Sequence, residues 1–192
     1  MREQLKTGIN AFFVLLNAPM LLLYYILLSV SKKDALFASF SQFYSLFPGQ
    51  TGVYMRRNFY RFVLPNFGKN VTIGFGTLFS HQDTTIGDNV YIGPQCNIGM
   101  CKIGSECLIG SGVHILSGRN QHNFSDNNKP LREQGGHYTK IEIGENCWIG
   151  NLSVIMGDVA VRSVVGAGSI IVKAASSGIY LGVPATRREG NQ

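Results

Sequence analysis

The sequence predicts a mainly β protein, a parallel β-helix entered from an N-terminal helical segment that meets a membrane. Three observations carry this. An aliphatic residue followed by glycine recurs between Ile73 and Gly166, mostly every six residues. The 23 glycines of this 192-residue chain fall largely at that regular spacing. No charged residue occurs between Lys6 and Lys32. The expected division is a helical membrane-associated segment over residues 1–65 and a β-helix over 66–192, with an excursion at 116–140.

Within the uncharged run, Ala11 to Val30 departs from apolar character only at Asn17, Pro19 and Ser29. About 20 helical residues suffice to cross a bilayer. No small-residue cleavage site follows, which argues against a removable signal peptide. Pro19 lacks a backbone donor and predicts a kink or break, so a simple span and a re-entrant hairpin both fit. A buried helix of a soluble protein is the bland alternative. Next, Leu36, Phe37, Phe40, Phe43, Tyr44 and Phe47 share one face of a helix that Pro48-Gly49 ends. So aromatic a face suggests a helix lying in the membrane interface; packing against the β-helix is the alternative. Arg56, Arg57 and Arg61 follow among aromatics from Tyr54 to Leu64 and are expected to meet lipid phosphates. Lipid contact is therefore expected over residues 9–64. The basic cluster after the apolar run places the remainder on the cytoplasmic face, read here as that of a bacterial cytoplasmic membrane. The net charge of +6 is not arranged as a stripe interleaved with aromatics, so no nucleic-acid partner is expected.

The repeat is the most specific feature. Ile73-Gly74, Ile86-Gly87, Ile92-Gly93, Ile98-Gly99 and Ile109-Gly110 lead to Ile143-Gly144, Ile149-Gly150 and Val165-Gly166. No α-helix has a six-residue period. Short strands joined by tight turns do, with the aliphatic residue pointing inward, glycine admitting the turn, and three hexads closing a triangular coil. Cys96, Cys107 and Cys147 share one slot of the repeat, where other copies carry Val113 and Ser153. With no C-x-x-C pair, these read as small buried thiols in a reducing compartment.

The repeat breaks after Ile115 and resumes at Ile141. A long excursion inside a regular solenoid points to function. It carries His122 and His137, with Asp126 and Glu133 as candidates to orient a histidine or bind acceptor hydroxyls. An alcohol is almost fully protonated at neutral pH, so its attack on an acyl carbonyl needs a base with a pKa near 7, which imidazole supplies.

The ordered set G-V-H-I-L-S-G, loop histidine, I-G-E-N-C-W-I-G, V-V-G-A-G-S-I-I-V-K and G-V-P-A resembles the sugar and antibiotic O-acetyltransferases of the hexapeptide-repeat family, over roughly Val71 to Arg188. The resemblance implies a left-handed coil, a homotrimer, and acetyl-CoA as co-substrate in a groove between neighbouring coils, with no metal. It implies His122 as general base. Trp148 is placed near the acyl donor, Asn151 offers a backbone N–H to the developing oxyanion, and Ala167 meets the pantetheine arm. Lys173, Arg187 and Arg188 are candidates for the coenzyme phosphates. His137, Asp126 and Glu133 are candidates for a saccharide acceptor. Two departures stand out: Ile155 to Val165 is two residues short, and Ala185-Thr186-Arg187-Arg188 does not align with the family's spaced arginines. Because of the apolar N-terminal run, the expected acceptor is membrane-associated, such as a lipid-linked or surface saccharide. Two other classes stay open: a zinc hydratase of the γ-carbonic-anhydrase type using His81, His114 and His122, and a non-catalytic membrane scaffold.

Overall fold

A computed structural model describes residues 2–188, without the side chains of 2, 3, 5 and 6; residues 1 and 189–192, at the outer ends of the two expected segments, lie outside the described residues. Three helices, α1 (Arg2–Leu28), α2 (Lys33–Ser45) and α3 (Gly49–Val63), precede a parallel β-helix with three faces. Face A holds Asn66–Phe67, Thr85–Ile86, Cys101–Ile103 and Ile141–Ile143. Face B holds Thr72–Ile73, Tyr91–Ile92, Leu108–Ile109, Trp148–Ile149, Val164–Val165 and Ile179–Leu181. Face C holds Leu78–Phe79, Asn97–Ile98, His114–Ile115, Val154–Ile155 and Ile170–Ile171. In the short stretch after Ile155, face A shrinks to single bridges, Ile143 to Val159 and Val159 to Ala175, which accounts for the two missing residues.

The six-residue period becomes three columns of buried side chains. Ile73, Ile92, Ile109, Ile149 and Val165 stack behind face B, and Phe79, Ile98, Ile115, Ile155 and Ile171 behind face C. Each buried aliphatic contributes about 1.5–3 kcal/mol. The glycine after each aliphatic has a different task from the one expected. A Cβ on Gly110 would sit 2.3 Å from the Asn151 side-chain oxygen and 2.7 Å from its backbone nitrogen. That glycine lets neighbouring coils touch. The left-handed backbone of the turn is carried two residues later, by Gly112 and by Leu152.

The cysteine slot has a physical explanation. Cys96 Sγ donates to the Gly110 carbonyl at 3.1 Å, Cys107 to Gly144 at 3.0 Å and Cys147 to Ala160 at 3.1 Å. Thr77 and Ser153 make the equivalent bonds to Gly93 and Gly166. The slot thus takes a small side chain, and where that is Thr, Ser or Cys it donates to the next coil's corner, while Val113 fills it by packing alone. All four cysteines are free and buried.

The helices correct three expectations. Pro19 does not break α1, because buried Phe13 and Asn17 before it and Tyr24 after it hold both halves of the helix down. The aromatic face of α2 is turned inward: Leu36, Phe37, Phe40 and Tyr44 are buried, and Tyr44 stacks on Phe59 of α3 at 4.3 Å. Tyr60 of α3 meets Phe79 of the coil at 4.6 Å, so helices and coil share one core. Arg56 is fully buried and reaches no lipid phosphate. Its Nε donates to the Ile73 carbonyl at 2.9 Å and its Nη1 to those of Phe47 and Tyr44 at 2.7 and 3.3 Å. Desolvation lowers its pKa from the ordinary value. Two further bonds fasten α2 to the first coil: the Phe79 N–H to Ser41 Oγ at 2.8 Å and the Gly76 N–H to the Ser45 carbonyl at 3.0 Å.

Candidate active site

The excursion leaves the corner between faces C and A, between the third and fourth coils. It is folded on itself. The Asn123 N–H donates to the Gly135 carbonyl at 2.9 Å and the His137 N–H to Asn120 at 2.8 Å, so two antiparallel arms carry His122 and His137. Gly136 makes this approach possible, since a Cβ there would lie 1.8 Å from the Gln121 carbonyl oxygen. At the tip, Gln134 closes the turn. Its Nε2 donates to the carbonyls of Asp126 and Lys129 at 2.7 and 2.8 Å, while its Oε1 accepts from the Asp126 N–H at 3.0 Å. At the base, buried Ser117 accepts from the Met100 N–H, and Lys140 pairs with Asp83 at 2.7 Å.

His122 and His137 line one small cavity of about 340 Å³ together with Asn120, Asn123, Phe124 and Ser125. The candidate acceptor carboxylates are placed elsewhere on the loop. Asp126 caps the Asn128 N–H at 3.0 Å and sits 3.6 Å from Lys129, while exposed Glu133 lies 3.5 Å from Arg132 in a short 3-10 turn.

The candidate coenzyme residues fall into separate groups. Asn151 and Ala167 stack at the corner between faces B and C, where the Gly168 N–H donates to the Asn151 carbonyl at 2.8 Å. Exposed Trp148 stands on face B. Arg187 lies in Thr186–Arg187, which folds back antiparallel on Ile179–Leu181; the adjoining Arg188 N–H donates to Ile179. Lys173 lies at the corner between faces C and A, where it shares a cavity of about 300 Å³ with Arg119, Asn120 and Asp158. Within one chain, His122 is therefore on a different corner of the prism from Asn151 and Ala167.

Sequence reasoning missed a second cavity beside the loop, of about 400 Å³. His81, His114, Asn97 and Tyr138 line it from the coil and loop, and Gln42 from α2. His81 Nδ1 is 2.9 Å from Ser80 Oγ and 3.4 Å from Ser117 Oγ, and its ring lies 5.1 Å from Tyr138. The side chains lining this cavity carry amides, hydroxyls, imidazoles and a phenol, with no carboxylate, ammonium or guanidinium among them. Nothing local in the sequence signals it, because it depends on where α2 lands. His81 and His114 share this cavity while His122 lines another; among the described residues no three His, Cys, Asp or Glu side chains converge as a metal site.

Comparison with known proteins agrees with this architecture. Residues 83–117 match the family model described as bacterial transferase hexapeptide (six repeats). A galactoside acetyltransferase in complex with coenzyme A superposes with a TM-score of 0.69 at 26% identity, over 81% of this chain and 80% of that one. A maltose O-acetyltransferase from Clostridium difficile 630 also reaches 0.69, at 18% identity over 84% and 90%. A hexapeptide-repeat acetyltransferase from Vibrio cholerae O1 biovar eltor, complexed with acetyl-coenzyme A, gives 0.66 at 18% over 83% and 90%. The fold is the left-handed β-helix of these enzymes. The chain thus carries the hexapeptide repeat of bacterial transferases over residues 83–117 and shares the fold of these acetyltransferases.

Proposed function

We propose that the protein is an acetyl-CoA-dependent O-acetyltransferase whose acceptor is a saccharide hydroxyl presented at a membrane, such as a lipid-linked or surface saccharide. The observation that carries this reading is the loop folded on itself at Gly136, which mounts His122 on the one long interruption of the coil. The galactoside enzyme, which holds coenzyme A, supports the donor.

In this reading His122 takes the proton of the acceptor hydroxyl as its oxygen attacks the thioester carbonyl. The Asn151 backbone N–H faces the oxyanion. The C–S bond then breaks, and the coenzyme thiolate takes the proton back from the imidazolium. Trp148 and Ala167 lie along the acyl and pantetheine end, and Lys173, Arg187 and Arg188 serve the phosphates. Because His122 and the Asn151–Ala167 corner are separated in one chain, the site is completed between chains, for which a homotrimer is the assembly we infer. The cavity that His137 shares with His122 seats the reacting hydroxyl in this reading, with Asp126 and Glu133 as further acceptor candidates on the same loop. The cavity beside His81 and Tyr138, with no carboxylate, ammonium or guanidinium in its lining, suits the rest of a neutral sugar.

Purified protein given acetyl-CoA and a lipid-linked sugar should release free thiol, and His122→Ala should reduce turnover about 10²–10⁴-fold. Unchanged turnover in that variant would remove His122 as base. Loss of turnover in His81→Ala with His122→Ala unaffected would transfer the role to His81.

A further inference from the structure

The outer face of α1 is a continuous apolar stripe. Phe12, Leu15, Leu16, Leu22, Leu23 and Ile26 are all exposed, with Pro19 between them, and the helix is long and apolar enough from Thr7 to Leu28 to cross a bilayer. Its inner face is committed to protein along its length. Phe13 stacks on Tyr54 of α3 at 5.0 Å, and Asn17 is fully buried. Tyr24 is fully buried too and donates to Gln82 of the coil at 3.0 Å, while Tyr25 donates to the Phe62 carbonyl at 2.6 Å. A helix fixed in this way cannot be surrounded by lipid unless α3 enters with it, and α3 carries Arg57 and Arg61 one turn apart.

We infer that α1 lies in the plane of an anionic membrane surface, half-sunk through its outer face, and does not span. This rests on the membrane reading above and adds the mode of contact. The occupant is argued from charge. Exposed Lys32 and Lys33 follow the C-terminal end of α1, and exposed Arg61 flanks Phe62, to which α1 is bonded through Tyr25. Cations and half-exposed aromatics rimming an apolar stripe match the boundary between acidic headgroups and acyl chains. The chain's net charge of +6 has the same sign.

The test uses the full chain and vesicles of phosphatidylcholine with or without phosphatidylglycerol. The protein should float with the acidic vesicles, and Lys32→Glu with Lys33→Glu should weaken that binding about fivefold per charge. The triple variant Leu15→Ser, Leu22→Ser, Ile26→Ser, at exposed positions, should keep its circular dichroism and lose flotation. Single cysteines at 15, 19, 22 and 26, labelled with a fluorophore and read with depth-graded quenching lipids, should all report one shallow depth of about 5–10 Å. Depth that passes through the bilayer centre near Pro19 would overturn the in-plane mode and leave the membrane reading standing. No flotation on either vesicle would overturn both.

Discussion

Arg56 offers the most direct check on how the helices are held to the coil. Its guanidinium joins three carbonyls: Tyr44 in the last turn of α2, Phe47 just beyond that helix, and Ile73 in the first coil. Hydrogen bonds from a charged donor contribute about 1.5–3 kcal/mol each before the cost of burying the charge, which takes part of that back. Arg56→Met keeps the stem but leaves three carbonyls without that donor, each costing about 1–3 kcal/mol where water cannot replace it. Three unpaired carbonyls, less the relieved cost of burying the guanidinium, put the net loss at about 3–5 kcal/mol. Arg56→Lys should fall between, since one ammonium cannot span all three acceptors. Urea unfolding followed by far-UV circular dichroism gives the number, and acceptor KM in the same variants reports on Gln42 of α2, which lines the cavity beside His81. A loss below about 1 kcal/mol for Arg56→Met would show that packing, not the guanidinium, docks the helices.

Gly136→Ala should force the loop arms apart, because the new Cβ meets the Gln121 carbonyl; turnover should fall while the melting temperature of the coil stays unchanged. Leu152 has a φ of 60° and is 71% exposed, so Leu152→Asn should stabilise the protein by about 1 kcal/mol in urea melts by relieving a left-handed backbone at little cost in burial. Burial pushes the Cys101 thiol from the ordinary 9.0 up to about 12. A raised folded-state pKa means its contribution is intact below pH 9 and is lost as pH rises toward about 12; Cys101→Val should therefore flatten that alkaline decline in stability.

The coil was legible because its information is local and repeated. One buried residue per strand, stacked on its copy in the next coil, writes its period into the chain, as Ile92, Ile109 and Ile149 do. The slot of Cys96 and Cys107 could be recognised, but its bonds to the next coil's carbonyls could not, since they depend on stacking register. The orientation of α2 and the place of Arg56 were misread for a related reason. An aromatic stripe such as Phe37, Phe40 and Tyr44 has the same spacing whether it meets lipid or protein, and Arg56 looks like any surface arginine until its three acceptors are assembled around it. At the site, His122 was marked by the interruption that carries it. The cavity of His81, Tyr138 and Gln42 draws on segments almost 100 residues apart, so no local pattern contains it.

A solenoid of stacked coils has two raw ends, each offering a row of backbone groups on which another chain could build. Here the first is closed by atoms already described: Ser41 takes the Phe79 N–H, Ser45 the Gly76 N–H, and Arg56 covers the Ile73 carbonyl. At the other, Thr186–Arg187 reverses direction and blocks further parallel growth along face B. The helical layer is thus a stopper as well as a seat. Removing it to obtain a simpler soluble enzyme would uncork the prism and invite end-to-end filaments.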